Sequence, residues 1–126
     1  MASPTPRAGR CDALTRGGCR MAKYLYRLQY TKAGLEGTIK EGFEKREAFF
    51  RKTVGDLGGT TESAGWAYGD EDIFLITDFP EAEAATGLAL ALALTGSFRV
   101  TTTPLLTAKE MDAGAKRMPA YRAPGT

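Results

Sequence analysis

Three carboxylates stand close together near the middle of the chain, in the stretch Tyr68-Gly69-Asp70-Glu71-Asp72. Acidic side chains at this density could bind a metal ion or take part in acid/base chemistry. A calcium loop, however, spreads its oxygen ligands over about twelve residues and ends on a bidentate glutamate. This stretch is too short and has no such distal glutamate. The sequence therefore predicts no metal site.

Asp72 is the candidate catalytic residue, because it directly precedes the apolar run Ile73-Phe74-Leu75-Ile76. Burial at the start of such a strand could raise its pKa and make it an acid/base group. The alternative is a turn, in which Gly69 and Asp70 supply the turn geometry and Asp72 accepts hydrogen bonds from turn amides. The turn interpretation is favoured, and Asp72 stays the carboxylate to test.

A second candidate site is aromatic. Tyr26, Tyr30, Trp66 and Tyr68 could line a cavity for a small apolar or aromatic compound, and Arg27 could orient an anionic group on that ligand. The same side chains could instead form the core of a dimer, to which large aromatic residues contribute strongly. Both interpretations remain open at this point.

Histidine is absent, and both cysteines, Cys11 and Cys19, lie in the first twenty residues. Imidazole metal sites and nucleophile systems that depend on histidine are therefore excluded. We expect no cofactor. An enzyme built on this chain would have to use Asp72, Glu71 or a tyrosine as its acid/base group.

Charge and hydropathy exclude further classes. The formal net charge is +2, and beyond the arginine-containing first twenty residues the chain is close to neutral, without the basic stripe that nucleic acid binding needs. The longest apolar run, Gly87 to Leu94, is far shorter than the roughly 18 residues of a membrane span. We predict no nucleic acid and no membrane partner, and we take the cytoplasm as the location.

Composition divides the chain into three parts. Residues 1–20 contain prolines and glycines without periodicity and predict a disordered extension. Residues 21–117 predict the folded domain, and residues 118–126 a flexible tail. Arg16-Gly17-Gly18 can be encoded by a purine-rich ribosome-binding sequence, so we expect Met21 to be the functional start.

The first half of the domain predicts a strand, a divided helix and a hairpin. Ala22–Tyr30 is a tyrosine- and leucine-rich strand. Apolar residues recur at helical spacing from Thr31 to Leu57, with a break at Gly42 and an end at Gly58-Gly59. Thr60–Tyr68 and Asp72–Asp78 are then two strands of a hairpin joined by the acidic stretch.

The second half predicts helix, strand and helix. Asp78 and Pro80 suggest a helix start before the run Leu88–Leu94. Phe98–Thr103 is a β-branched strand closed by Pro104. Thr107 and Glu110 form a capping box for a last helix that ends at about Arg117.

The order of elements predicts an α+β fold, a βαββαβ ferredoxin-like plait with a four-stranded antiparallel sheet and a short C-terminal helix. Two helices would cover one face of the sheet. The other face, with an aromatic row from the Tyr24 or the Trp66 series, would be open. Because a large open apolar face usually marks an interface, we predict a homodimer or higher homo-oligomer.

Residues Met21 to Gly125 resemble the GYD-domain family of small, mostly bacterial proteins. The resemblance is carried by the segments MAKYLYRLQYT, KREAFFRKTVGDLGG, AYGDEDIFLITDFPE and GSFRVTTTPLLTAKEMD. It implies a plait of the dimeric α/β-barrel type, in which two sheets pack face to face, and it implies no reaction. In the family motif a glycine is closely followed by Tyr-Asp. Here Gly69 and Asp72 match, while Glu71 stands at the tyrosine position.

The sequence leaves two alternative hypotheses about function. The first is a non-catalytic homo-oligomer that holds a small organic ligand in its aromatic-lined cavity. The second is a cofactor-independent enzyme, similar to a monooxygenase or an isomerase, with Asp72 as its acid/base group. A buried Asp72 beside an open pocket would favour the enzyme.

Overall fold

The computed structural model describes residues 21–126, and the predicted N-terminal extension lies outside them. The described residues form an α+β structure of four strands and four helices. The strands are β1 Ala22–Tyr30, β2 Thr60–Trp66, β3 Ile73–Phe79 and β4 Phe98–Leu105. The helices are α1 Lys32–Glu41, α2 Phe43–Asp56, α3 Ala82–Leu94 and α4 Ala108–Ala115.

The strands form one antiparallel sheet in the order β2-β3-β1-β4. This order is compatible with the predicted ferredoxin-like plait. Strand β1 is central, and Leu25 lies opposite Ile76 of β3 on one side and Thr103 of β4 on the other. The two edges of the sheet are therefore β2 and β4.

The core lies between the sheet and the helices. Alternate residues of β1 and β3 are fully buried there, because successive strand residues point to opposite faces. Helices α2 and α3 close this layer with residues at helical spacing. The buried apolar set is Tyr26, Leu28, Phe50, Val54, Ile73, Leu75, Phe79, Ala85, Leu88, Leu92 and Phe98.

The aromatic rows lie on the helix side of the sheet, and the prediction of an aromatic open face is wrong. Tyr26 is fully buried. The centroid of the Trp66 ring lies 5.6 Å from that of the Phe43 ring of α2. Trp66 pairs with Ile73 and Tyr26 pairs with Leu75, so the register puts both rows on the same face as the buried residues of β3.

Several helix signals are confirmed. Gly42 separates α1 from α2 with a φ of 111°, and Gly58 follows α2 with a φ of 84°, both outside the range that side-chain-bearing residues favour. Thr107 and Glu110 form the capping box of α4. No helix within residues 21–126 is long and apolar enough to span a membrane.

Several boundaries differ from the prediction: β2 ends at Trp66, β3 spans Ile73–Phe79 and the last helix ends at Ala115. Two further differences have a local cause. Asp78 does not cap α3, because it belongs to β3 and its carboxylate accepts a hydrogen bond from Lys23 at 3.0 Å; α3 begins after Glu81 instead. Strand β4 continues through Pro104 to Leu105. The proline is accommodated because β4 is an edge strand, where one N–H group needs no partner.

Candidate functional site

The acidic stretch is the connection between β2 and β3. The Ala67 N–H group donates to the Asp72 carbonyl at 2.9 Å, which closes the loop. Gly69 is not among the described glycines with positive φ, and a Cβ atom there would meet no other atom. Tyr68 is fully exposed on this loop, while Glu71 is partly buried. The loop geometry therefore does not depend on a glycine at position 69.

Asp72, the residue before β3, continues the hydrogen bonding between β1 and β3 past the first residue of β3. Its backbone N–H group donates to the Leu28 carbonyl at 2.9 Å, and its carboxylate oxygen Oδ2 accepts from the Tyr30 N–H group at 2.8 Å. The side chain thus satisfies a backbone donor of β1 that lies beyond the last residue of β1 paired with β3. In the described part of the chain, no three acidic, cysteine or histidine side chains could jointly hold a metal ion.

The structure brings together only part of the predicted aromatic site. The Trp66 indole donates to the Tyr30 hydroxyl at 3.0 Å, so these two side chains are in contact. The Tyr26 hydroxyl donates to the Ala85 carbonyl at 2.7 Å, and burial raises the pKa of Tyr26 above its ordinary value. Tyr68 is on the exposed loop and Arg27 is on the opposite face of the sheet. The aromatic ligand site stays a prediction.

The face of the sheet opposite the buried residues of β1 and β3 is called the open face. Its central residues are Leu25, Phe74 and Ile76, all of them partly exposed. The Phe74 ring lies over Gly65 of β2, where an added Cβ atom would come within 2.7 Å of the ring. The remaining members are Lys23, Arg27, Gln29, Thr60, Ser63, Asp78, Arg99, Thr101, Thr103 and Leu105.

Charges on the open face lie at diagonally opposite corners. At the start of β2, Glu62 and Asp78 both bind Lys23, and these hydrogen bonds, with Glu62 the stronger cause, raise the pKa of Lys23. Arg99 stands at the start of β4, on the other edge and at the other end. Near the centre, the Arg27 Nε atom is buried and has no hydrogen-bond partner among the described residues.

A cavity of about 290 Å³ lies on the helix side, between α1, the start of α2 and the connection from α3 to β4. Glu41 and Arg46 provide its charges and Phe49 an aromatic wall. Taken alone, the charged stretch Glu44-Lys45-Arg46-Glu47 favours a solvated helix face over an anion site, whereas Arg46 lines this cavity. Gly34 and Gly37, three residues apart on one helix, are the signal that could have indicated a concave surface here.

Within residues 21–126, the fold is a small α+β domain whose buried core lies on one face of a four-stranded sheet. The family model of the GYD domain matches residues 24–115. The chain belongs to the GYD-domain family, as its sequence segments predicted. Comparison with curated proteins and with solved structures gives no match.

Proposed function

We propose that this GYD-domain protein acts as a non-catalytic homodimer, in which two copies pack their open faces against each other. One observation carries the proposal. The centre of the open face carries Leu25, Phe74 and Ile76, which are partly exposed and lie outside the buried core on the helix side. Burial of apolar surface stabilises association by about 25 cal/mol per Å² before the entropy of association is subtracted.

The buried Arg27 Nε atom supports a second copy as the occupant of this face. A buried donor without a partner costs about 1–3 kcal/mol, and Arg27 lies between Phe74 and Thr101 in the middle of the face. If the Arg27 side chain turns towards the facing sheet on association, an acceptor there would remove this cost. An intermolecular contact at the centre of the face is therefore better supported than one at its edge.

The charges at the Glu62 and Arg99 corners of the open face also support a second copy of the chain as the partner. A two-fold axis between two copies brings a surface patch against itself, so the patch must be self-complementary. An axis along one diagonal of the face would bring the Glu62 corner of one copy over the Arg99 corner of the other, twice per dimer. The strands of the two sheets would then cross at a steep angle, as in orthogonal sheet packing.

The enzymatic alternative has no such support. Asp72 lies at a strand end, where its carboxylate binds the Tyr30 backbone, and it does not line the cavity beside α1. The proposed function therefore assigns no acid/base role to Asp72, and the proposal is limited to assembly.

The test is the mass of the full chain in solution, measured by analytical ultracentrifugation. We expect a dimer for the wild type and a monomer for Ile76→Lys, which puts a charge at the centre of the open face. Leu94→Lys is the matched control, because Leu94 is 86% exposed at the end of α3. Circular dichroism checks that each variant is folded. A monomeric wild type, or a dimer that survives Ile76→Lys unchanged, contradicts the proposal.

A further inference from the structure

The cavity beside α1 is lined by a positively charged side chain, that of Arg46, whose position is fixed by neighbouring rings. The Arg46 guanidinium lies 4.8 Å from the centroid of the Phe49 ring and 5.2 Å from that of Phe50. Cation–π attraction to two rings restrains the guanidinium plane. The Arg46 side chain is 21% exposed, so its charge is partly desolvated but can be reached from the cavity that it lines.

The ion pair that Arg46 makes is weak. Its Nη1 atom donates to Oε1 of Glu41 at 3.5 Å, which is the longest distance at which a hydrogen bond forms. The Glu41 side chain is 45% exposed. Exposed pairs of this kind contribute less than about 1 kcal/mol. Within the described residues this is the only hydrogen bond of the guanidinium, so most of its N–H donors are available to a ligand.

Small residues give the cavity its room. A Cβ atom added at Gly37 would meet nothing within 4 Å, and Phe49, which is 50% exposed, also lines the cavity. The volume of about 290 Å³ is close to the smallest volumes of small-molecule sites, about 300 Å³. The space suits a small planar molecule with an apolar body.

We propose that this cavity binds a small planar organic carboxylate. The two carboxylate oxygens pair side by side with the Arg46 guanidinium, in the geometry that makes such pairs strong. The carboxylate takes the place of Glu41, and the apolar body packs on Phe49 beside Gly37. The site is on the helix side of the sheet, opposite to the open face, so it does not depend on self-association.

Benzoate is the probe, and benzamide is its neutral counterpart of the same shape. Titration of the isotope-labelled full chain by NMR should show benzoate shifting the backbone amides of 33–41, 46–49 and 95–98. Benzamide should bind at least about tenfold more weakly, a difference of about 1.4 kcal/mol, because it cannot form the ionic bidentate pair.

Variants separate the charge from the shape of the site. Arg46→Met should weaken benzoate binding about tenfold or more. Glu41→Gln should tighten it about two- to fivefold, because the competing carboxylate is removed. Gly37→Leu should abolish binding by filling the cavity. Gly87→Leu is the matched control, since Gly87 is also a helical glycine with open space at its Cβ position and lies outside the cavity.

The proposal is wrong if benzamide binds as well as benzoate, if Gly37→Leu leaves benzoate binding unchanged, or if the shifted amides lie elsewhere in the chain. Glu41→Gln keeps the test decisive should Gly37→Leu fail to fold, because a purely structural role for Glu41 predicts no gain in affinity. Failure of benzoate to bind a dimeric wild type would overturn this site and leave the proposed assembly intact.

Discussion

Asp72 links two strands through a single carboxylate oxygen. Asp72→Ala removes the acceptor of the Tyr30 N–H group, and we expect the free energy of unfolding to fall by about 1–2 kcal/mol. Asp72→Asn should lose less, because the amide oxygen can still accept this hydrogen bond. Urea denaturation measures both variants.

The control for this prediction is Asp70→Ala in the same loop. Asp70 is exposed, and its carbonyl, not its side chain, accepts from Gln29, so its substitution should change stability by less than about 0.5 kcal/mol. Equal losses for the two alanine variants would show that Asp72 has no special part in joining β1 to β3.

Titration of the Tyr26 phenol makes the free energy of unfolding depend on pH in the alkaline range. Burial raises the pKa of its phenol in the folded protein above the ordinary value of 10.0, and the neighbouring Tyr24 adds to the shift. The folded state therefore disfavours the phenolate, and the stability linked to this group is present below pH 10 and lost as the pH rises above it. Tyr26→Phe lacks this titration.

The measurement compares wild type and Tyr26→Phe by urea denaturation at pH 8 and at pH 11. At pH 8 the variant should be less stable by about 0.5–1.5 kcal/mol, because the hydrogen bond to the Ala85 carbonyl is lost. At pH 11 the difference should shrink or change sign. A difference that is constant with pH would contradict the burial of a neutral phenol.

At the residue scale, the sequence indicates which side chains are chemically capable but not which of them meet. Trp66 and Tyr30 are in contact although they are far apart in sequence, and Tyr68 lies only two residues after Trp66 yet is fully exposed. The end of β2 at Trp66 decides this, and no residue pattern marks that boundary. The Arg46 cavity depends on three segments meeting, which local patterns do not encode.

At the element scale, α1 packs closely on the connection between α3 and β4. A Cβ atom at Gly34 would lie 2.1 Å from the Ser97 carbonyl oxygen, and that oxygen also accepts from the Thr31 N–H group at 3.0 Å. Gly34→Ala must push the helix away from this backbone, and we expect a loss of about 1–3 kcal/mol.

Gly37→Ala is the matched control on the same helix. It places a Cβ atom in open space and replaces a helical glycine, so it should stabilise by about 0.5–1 kcal/mol. Thermal denaturation followed by circular dichroism measures both variants. If Gly34→Ala were also stabilising, the close approach of α1 to Ser97 would be contradicted.

Helix α3 illustrates what local patterns can predict about an element. Its run of alternating leucines and alanines is consistent with a strand or a helix, and helix propensity correctly favours the helix. Leu88 and Leu92, four residues apart, are buried, whereas Leu90 and Leu94 are exposed. The predicted start at Asp78 is wrong, because Asp78 is a residue of β3 and its side chain binds Lys23 instead of capping the helix.

At the scale of the whole molecule, the order of elements was sufficient to predict a four-stranded sheet with helices on one side. The identity of the open face was not predictable in the same way. Face assignment depends on the register between strands, and a shift of one residue exchanges the two faces. In β1 the choice between the tyrosine row and the Leu25–Arg27 row is settled by the contacts of Tyr26 with α3 and Phe79.

Charge reversal tests how two copies would be arranged in the proposed dimer. In that arrangement Glu62 of one copy faces the Arg99 corner of the other, so Glu62→Arg creates repulsion twice per dimer. We expect the dissociation constant of the dimer to rise about tenfold at low ionic strength, and less at high salt, where exposed charges are screened. Sedimentation at several protein concentrations measures the constant.

The second reversal distinguishes this arrangement from others. Adding Arg99→Glu to Glu62→Arg should recover most of the lost affinity, because the two corners again carry opposite side chains. Glu36→Arg is the control, since Glu36 is 67% exposed on α1, away from the open face. Lys23 keeps Asp78 as a partner when Glu62 is changed, so the fold should survive. If the double variant remained as weak as Glu62→Arg alone, opposite corners do not meet and the sheets must cross at another angle.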